Sequence, residues 1–90
     1  MPVVENTVVI TNKVGLHARP AALLVQSAAR FQSHIQVYCG EKQANAKSIV
    51  SVLTLGAGPG TSLVIRAEGD DASKAVQALV KLVVNKFGEE

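Results

Sequence analysis

Two stretches of this chain alternate side chains with the period of two that belongs to a half-buried strand. In residues 34–39, Ile35, Val37 and Cys39 point one way and His34, Gln36 and Tyr38 the other. In residues 63–68, Leu63, Ile65 and Ala67 oppose Val64, Arg66 and Glu68. Strands patterned in this way bury one face and wet the other, which calls for an antiparallel sheet with its helices on a single side. The N-terminal run fits the same plan, with Val4, Val8 and Ile10 on one face and Thr7 and Val9 on the other. A turn at Gly40-Glu41-Lys42 leads into a short strand expected over about 43–46.

Helical spacing fills the intervals. Ala21, Leu24, Ala28 and Phe31, joined by Val25 and Ala29, predict a first helix over about 18–31, with Pro20 in the first turn where its missing N–H costs nothing. Ser48 is placed to cap a short second helix over about 48–55, closed by Gly56. After the turn Gly58-Pro59-Gly60 and the last strand, Asp70 or Asp71 is expected to cap a third helix. Its apolar stripe runs through Ala72, Val76, Leu79, Val80, Val83 and Phe87. The expected fold is therefore α+β, an open-faced two-layer sandwich in which a four-stranded antiparallel sheet is covered on one face by three helices, in the order βαββαβα. Residues 1–90 are expected to form one domain, because two halves would each be too small for a core.

Composition narrows the function. Aromatic residues are 3% of the chain, too few for a base-stacking platform, and a net charge of +2 is mild and scattered, so no nucleic-acid partner is expected. A single cysteine, Cys39, excludes an internal disulfide and a Cys-rich metal site, and with them a Cys-x-x-Cys metal chaperone. Neither a signal peptide nor an apolar run of about 20 residues is present, so a cytoplasmic location without a membrane partner is the expectation.

The segment Gly15-Leu16-His17-Ala18-Arg19-Pro20-Ala21 carries the chemistry. His17 falls at the cap of the first helix, where backbone N–H groups (Ala18 and Arg19 are the candidates) lack partners and the aligned peptide dipoles favour an anion. Arg19 adds a planar guanidinium matched to phosphate oxygens. The neutral form of the ring is the nucleophilic one. His34, on the polar face of its strand, and Cys39, on the inner face, read as a surface residue and a small core residue.

This run resembles the phosphorylation motif of HPr, the histidine-containing phosphocarrier of the phosphoenolpyruvate-dependent sugar phosphotransferase system. Further similarity extends through Ala46-Lys47-Ser48-Ile49, Leu55-Gly56, Gly60-Thr61 and Ala67-Glu68-Gly69. The resemblance implies that His17 accepts the phosphoryl group through Nδ1 and that Arg19 assists. It also implies enzyme I as donor, enzyme II A domains as acceptors and no cofactor or metal. The chain would then be a stoichiometric carrier and not an enzyme in its own right. Val14 departs from the many relatives that carry Asn or Ser there. An apolar residue after Thr11-Asn12-Lys13 also occurs in nitrogen-branch paralogues, so a regulatory docking protein of the nitrogen or carbon-catabolite branch is the alternative reading.

The second helix is too apolar for its length. With Val52 and Leu55 facing the core, Ile49, Val50 and Leu53 are left as an exposed patch. By resemblance, a docking surface would draw on Ala18, Pro20, Leu23, Ile49, Val50 and Leu53. Ser48 is in this family a site of regulatory phosphorylation in many Gram-positive members, which implies a kinase/phosphorylase and a catabolite-control regulator as further partners. A monomer is expected, given the size and the need to meet several proteins.

Overall fold

A computed structural model describes residues 1–88 and contains the expected layers. Its elements run β1 (Val3–Val9), α1 (Ala18–Ala28), β2 (His34–Cys39), β3 (Lys42–Asn45), α2 (Ile49–Leu53), β4 (Ser62–Glu68) and α3 (Ala72–Val84). The sheet order is β1-β4-β2-β3, and every neighbouring pair is antiparallel. Register puts Val8 opposite Leu63, and Ile35 and Val37 opposite Ala67 and Ile65, so the inward sets of three strands meet in one layer.

That layer and the helices share one core. Leu24, Ala21 and Ala28 from α1, Val52 from α2, and Ala72, Ala75, Val76, Leu79 and Val83 from α3 are buried with Val8, Ile35, Val37, Leu63, Ile65 and Ala67. Alanines at many of these contacts let backbones approach closely, which suits a chain whose only fully enclosed aromatic side chain is Phe87. Each large aliphatic side chain taken out of water contributes about 1.5–3 kcal/mol.

Element ends differ from the sequence-based boundaries by one to three residues, each for a local reason. The first helix stops at Ala28, because Arg30 and Phe31 bond back only three residues, to Ser27 and Ala28. The third strand starts at Lys42 because a two-residue loop, Gly40-Glu41, suffices to reverse the chain. The third helix ends at Val84 instead of running to Phe87. Lys86 and Phe87 instead adopt left-handed conformations (φ 56 and 55) that fold the ring back into the core. Such backbone costs about 1–2 kcal/mol per residue, which burial of a phenyl group offsets in good part.

Asp71 also behaves differently from expectation. It occupies the N-cap position of α3, but its carboxylate makes no cap bond. Its oxygens accept from the amides of Gln32 (2.8 Å) and Ser33 (2.9 Å) and from the Ser33 hydroxyl, tying the start of α3 to the loop before β2. Ser33 is buried there, and Gly69 is required beside it, since a Cβ on Gly69 would lie 2.6 Å from Ser33 Oγ.

The Ser33 hydroxyl, and after it the Gln32 amide, hold the Asp71 carboxyl below its ordinary value of 3.8. A carboxyl lowered in the folded state contributes stability above its unfolded value, and that contribution disappears as pH falls through the lowered one. Asp71→Ala is therefore expected to lower the urea midpoint at neutral pH, with the gap to the parent chain closing at strongly acidic pH. A gap that stays constant across that range would refute the latch.

Candidate functional site

His17 is the N-cap residue of α1, with extended backbone (φ −77, ψ −173), and its carbonyl accepts the first helical hydrogen bond, from Ala21 at 2.8 Å. The imidazole makes no capping bond and is exposed. The amides of Ala18 and Arg19 have no helical carbonyl four residues back, and Pro20 has no N–H to satisfy, so the helix opens towards solvent with two donors beside the ring. Arg19 is exposed and forms no ion pair among the described residues, where the single recorded pair joins Arg66 and Glu5 on the far face of the sheet. Its guanidinium is available to an incoming anion.

The loop leading to His17 is held on both sides. Asn12 is buried. Its Nδ2 donates to the Gly15 carbonyl at 2.9 Å, while its own carbonyl accepts from the Gly15 amide at 3.3 Å. Gly15 is left-handed (φ 62), and an added Cβ would lie 2.5 Å from the Ala57 carbonyl and 2.8 Å from Gly58 Cα. Across that close approach the Leu16 amide donates to the Ala57 carbonyl at 2.9 Å, and Leu16 is buried. Ala57 carries no signal in the sequence, because it acts through a contact with Leu16, a residue in a segment far away along the chain.

Between this loop and α2 lies a hollow of about 310 Å³, lined by Val14, Leu16, His17, Leu53 and the backbone-rich run Gly56, Ala57, Gly58 and Pro59. The short second helix places its side chains as expected: Val52 and Leu55 are buried, whereas Ile49, Val50 and Leu53 are 40, 69 and 40% exposed. Ala18 is also exposed. Of the residues expected on the docking surface, two lie deeper than the others. Pro20 is fully buried, where it sets the first turn of α1, and Leu23 is half-buried against the core.

Ser48 caps α2, its hydroxyl accepting from the Ser51 amide at 3.3 Å, and Ser51 Oγ in turn accepts from the Asn45 amide at 3.0 Å. Lys47 Nζ donates to the Phe31 carbonyl at 2.7 Å, joining this corner to the end of α1. His34 is exposed on the open face of the sheet, and Cys39 is partly buried against the core. Among the described residues no group of three or more His, Cys, Asp or Glu could hold a metal ion, and no helix is long and apolar enough to cross a membrane.

Residues 4–85 match the family described as the PTS HPr component phosphorylation site. The phosphocarrier protein HPr of Treponema pallidum is 46% identical over 87 residues, covering 97% of this chain and 99% of that one. The crystal structure of HPr-C-His from Thermoanaerobacter tengcongensis superposes with a TM-score of 0.93 at 52% identity, over 97% and 98% of the two chains. The Bacillus subtilis catabolite repression protein Crh, crystallised as a domain-swapping dimer, reaches 0.75 at 38% identity, over 92% and 95%. A four-stranded open sandwich with a free imidazole at the mouth of its first helix is, in the light of these relatives, a phosphocarrier domain. The chain belongs to the HPr family of the phosphotransferase system.

Two glycines separate conformational cost from collision. Gly56 is also left-handed (φ 59) but has open space around its Cβ position. Gly56→Ala is expected to cost about 1–2 kcal/mol. Gly15→Ala adds a collision with backbone and should cost roughly 2–5 kcal/mol. Urea unfolding of both variants checks this; equal losses would mean that the approach to Ala57 is not tight.

Proposed function

We propose that this chain is a phosphoryl carrier in which His17 takes the group from phosphorylated enzyme I and delivers it to enzyme II A domains. The observation that carries the reading is the exposed imidazole of His17, unused as a cap, beside the unpaired start of α1. The lone pair on Nδ1 of the ring protonated at Nε2 forms the new bond to phosphorus as the bond to the donor breaks, the donor keeps that electron pair, and the Nε2 proton leaves to solvent to return the ring to neutral. Little covalent assistance is needed in such transfers, which depend on alignment and on charge stabilisation.

The amides of Ala18 and Arg19, the helix dipole and the Arg19 guanidinium supply that stabilisation. They favour the dianion on His17 without closing over it, so a second protein can remove it. In this reading the protein acts in the cytoplasm, is consumed and regenerated on each cycle, and needs neither cofactor nor metal. Ile49, Val50, Leu53 and Ala18 form the docking face, and their limited apolar area suits brief encounters.

Ser48 is the regulatory position of this proposal, a substrate for a kinase/phosphorylase whose product would meet a catabolite-control regulator. A phosphate on the α2 cap is compatible with the helix start but sets negative charge beside the apolar docking face. The alternative, a nitrogen-branch or carbon-catabolite protein that acts by docking alone, makes no use of the ring of His17.

Incubation with enzyme I and labelled phosphoenolpyruvate is expected to give an acid-labile, base-stable label that His17→Ala abolishes. Arg19→Ala should lower transfer efficiency about tenfold or more, the usual scale for losing a charged hydrogen bond. A parent chain that takes no label, or a His17→Ala chain that still does, would overturn the carrier reading. Ser48→Ala is expected to cost about 1 kcal/mol of stability with labelling of His17 retained; Ser48→Asp should raise the KM for enzyme I.

A further inference from the structure

We propose that the outer edge of β1 is a self-association surface, on which β1 of a second copy of this chain pairs antiparallel about a two-fold axis at Asn6. The surface is separate from the His17 site and does not depend on the carrier reading.

β1 is the end strand of the sheet and pairs with β4 alone. Just beyond it, the Ile10 amide donates to the Thr61 carbonyl and the Ile10 carbonyl accepts from the Gly60 amide. Even-numbered residues therefore turn their backbone groups towards β4, and Val3, Glu5, Thr7 and Val9 turn theirs to the free edge. The Thr7 amide agrees with this alternation, since it donates to Asn6 Oδ1 at 2.8 Å and not to a strand. A seven-residue row of strand backbone without a neighbour is a template for another strand. Val3 and Val9 add apolar side chains that are 46 and 45% exposed.

The sequence of the strand selects the occupant. Residues 3–9 read Val-Val-Glu-Asn-Thr-Val-Val, which is nearly its own reverse. With Asn6 opposite Asn6 of a second copy, Val3 meets Val9, Val4 meets Val8 and Glu5 meets Thr7. Odd residues then face odd residues, as bonding at the free edge requires. Centring the pair on Glu5 would set two carboxylates directly opposite each other, which is unfavourable. Centring it on Thr7 would shorten the paired segment to residues 5–9 and put Glu5 against Val9. Intermediate registers would oppose a bonding residue to a non-bonding one. One register remains, and it makes a closed, self-complementary interface. Asn6 limits its strength, because Oδ1 withholds the Thr7 amide until the side chain is displaced.

Sedimentation equilibrium of the full chain, with amide exchange followed by NMR, tests this. A single strand edge is small, so dimerisation is expected at about 0.1–1 mM. Amides of Val3, Glu5, Thr7 and Val9 should gain protection as concentration rises, and those of Val4, Asn6 and Val8 should not. Asn6→Ala is expected to tighten the dimer about fivefold. Thr7→Pro should abolish it, because the ring removes a free-edge donor and leaves the ladder to β4 intact. If Thr7→Pro does not fold, Val3→Lys combined with Val9→Lys decides, since it sets like charges opposite each other on an unchanged backbone. Absence of association up to about 2 mM would overturn the proposal. So would association that leaves the odd-numbered amides unprotected, an Asn6→Ala dimer no tighter than the parent, or a dimer that persists in a folded edge variant. A dimer that fails to dissociate within minutes of dilution would indicate exchanged strands instead of paired edges, and would also overturn it.

Discussion

The amide of Leu16 reaches the carbonyl of Ala57 across a space that Gly15 leaves open by having no side chain. Through that contact the segment before α1 is joined to the segment after α2, and Asn12 holds it from behind. The position of His17 follows. Its backbone is set by the fixed glycine two residues before it and by the helix that starts immediately after it, so the ring stands at a helix mouth without needing a bond of its own. A site on so small a domain cannot be enclosed in a deep cleft, and rigidity of the backbone presents the ring instead.

The same contact explains why His17 and the exposed end of α2 lie together. Only five residues of α2 are helical, and they bury a single side chain, Val52, leaving Ile49, Val50 and Leu53 outside. Because the chain leaves α2 and passes directly under the His17 loop, Leu53 lines the same hollow as His17. Dense apolar packing lies between the sheet and the helices. The opposite end of the molecule is tied separately, by Asp71 to Gln32 and Ser33, so the requirements of stability and of transfer fall on different residues.

Much of this was legible in the residues. Alternation in 34–39 and 63–68 required one buried face, and the stripes through Leu24 and Leu79 required helices to cover it. The surplus of apolar residues at 49–53 announced an exposed patch, and His17 with Arg19 and Pro20 marked the helix mouth. Other readings needed correction. Pro20 and Leu23 sit on the first helix near His17, but burial removes the first from any partner and half of the second. Phe87 reaches the core by two left-handed residues where its spacing suggested continuous helix. Asp71, at a capping position, gives its carboxylate to another segment.

Period, turn residues and the helix start at Ala18 are properties of neighbouring residues, so the sequence by itself determined the layers, the order of elements and the place of His17 at the mouth of the first helix. Clamping of Gly15 against Ala57 and Gly58, the hollow between Val14 and Leu53 and the Asp71 latch are decided only in the tertiary structure. Each depends on two segments far apart in the chain meeting at hydrogen-bond or van der Waals distance, and no local pattern encodes which backbone atom will stand opposite a given residue.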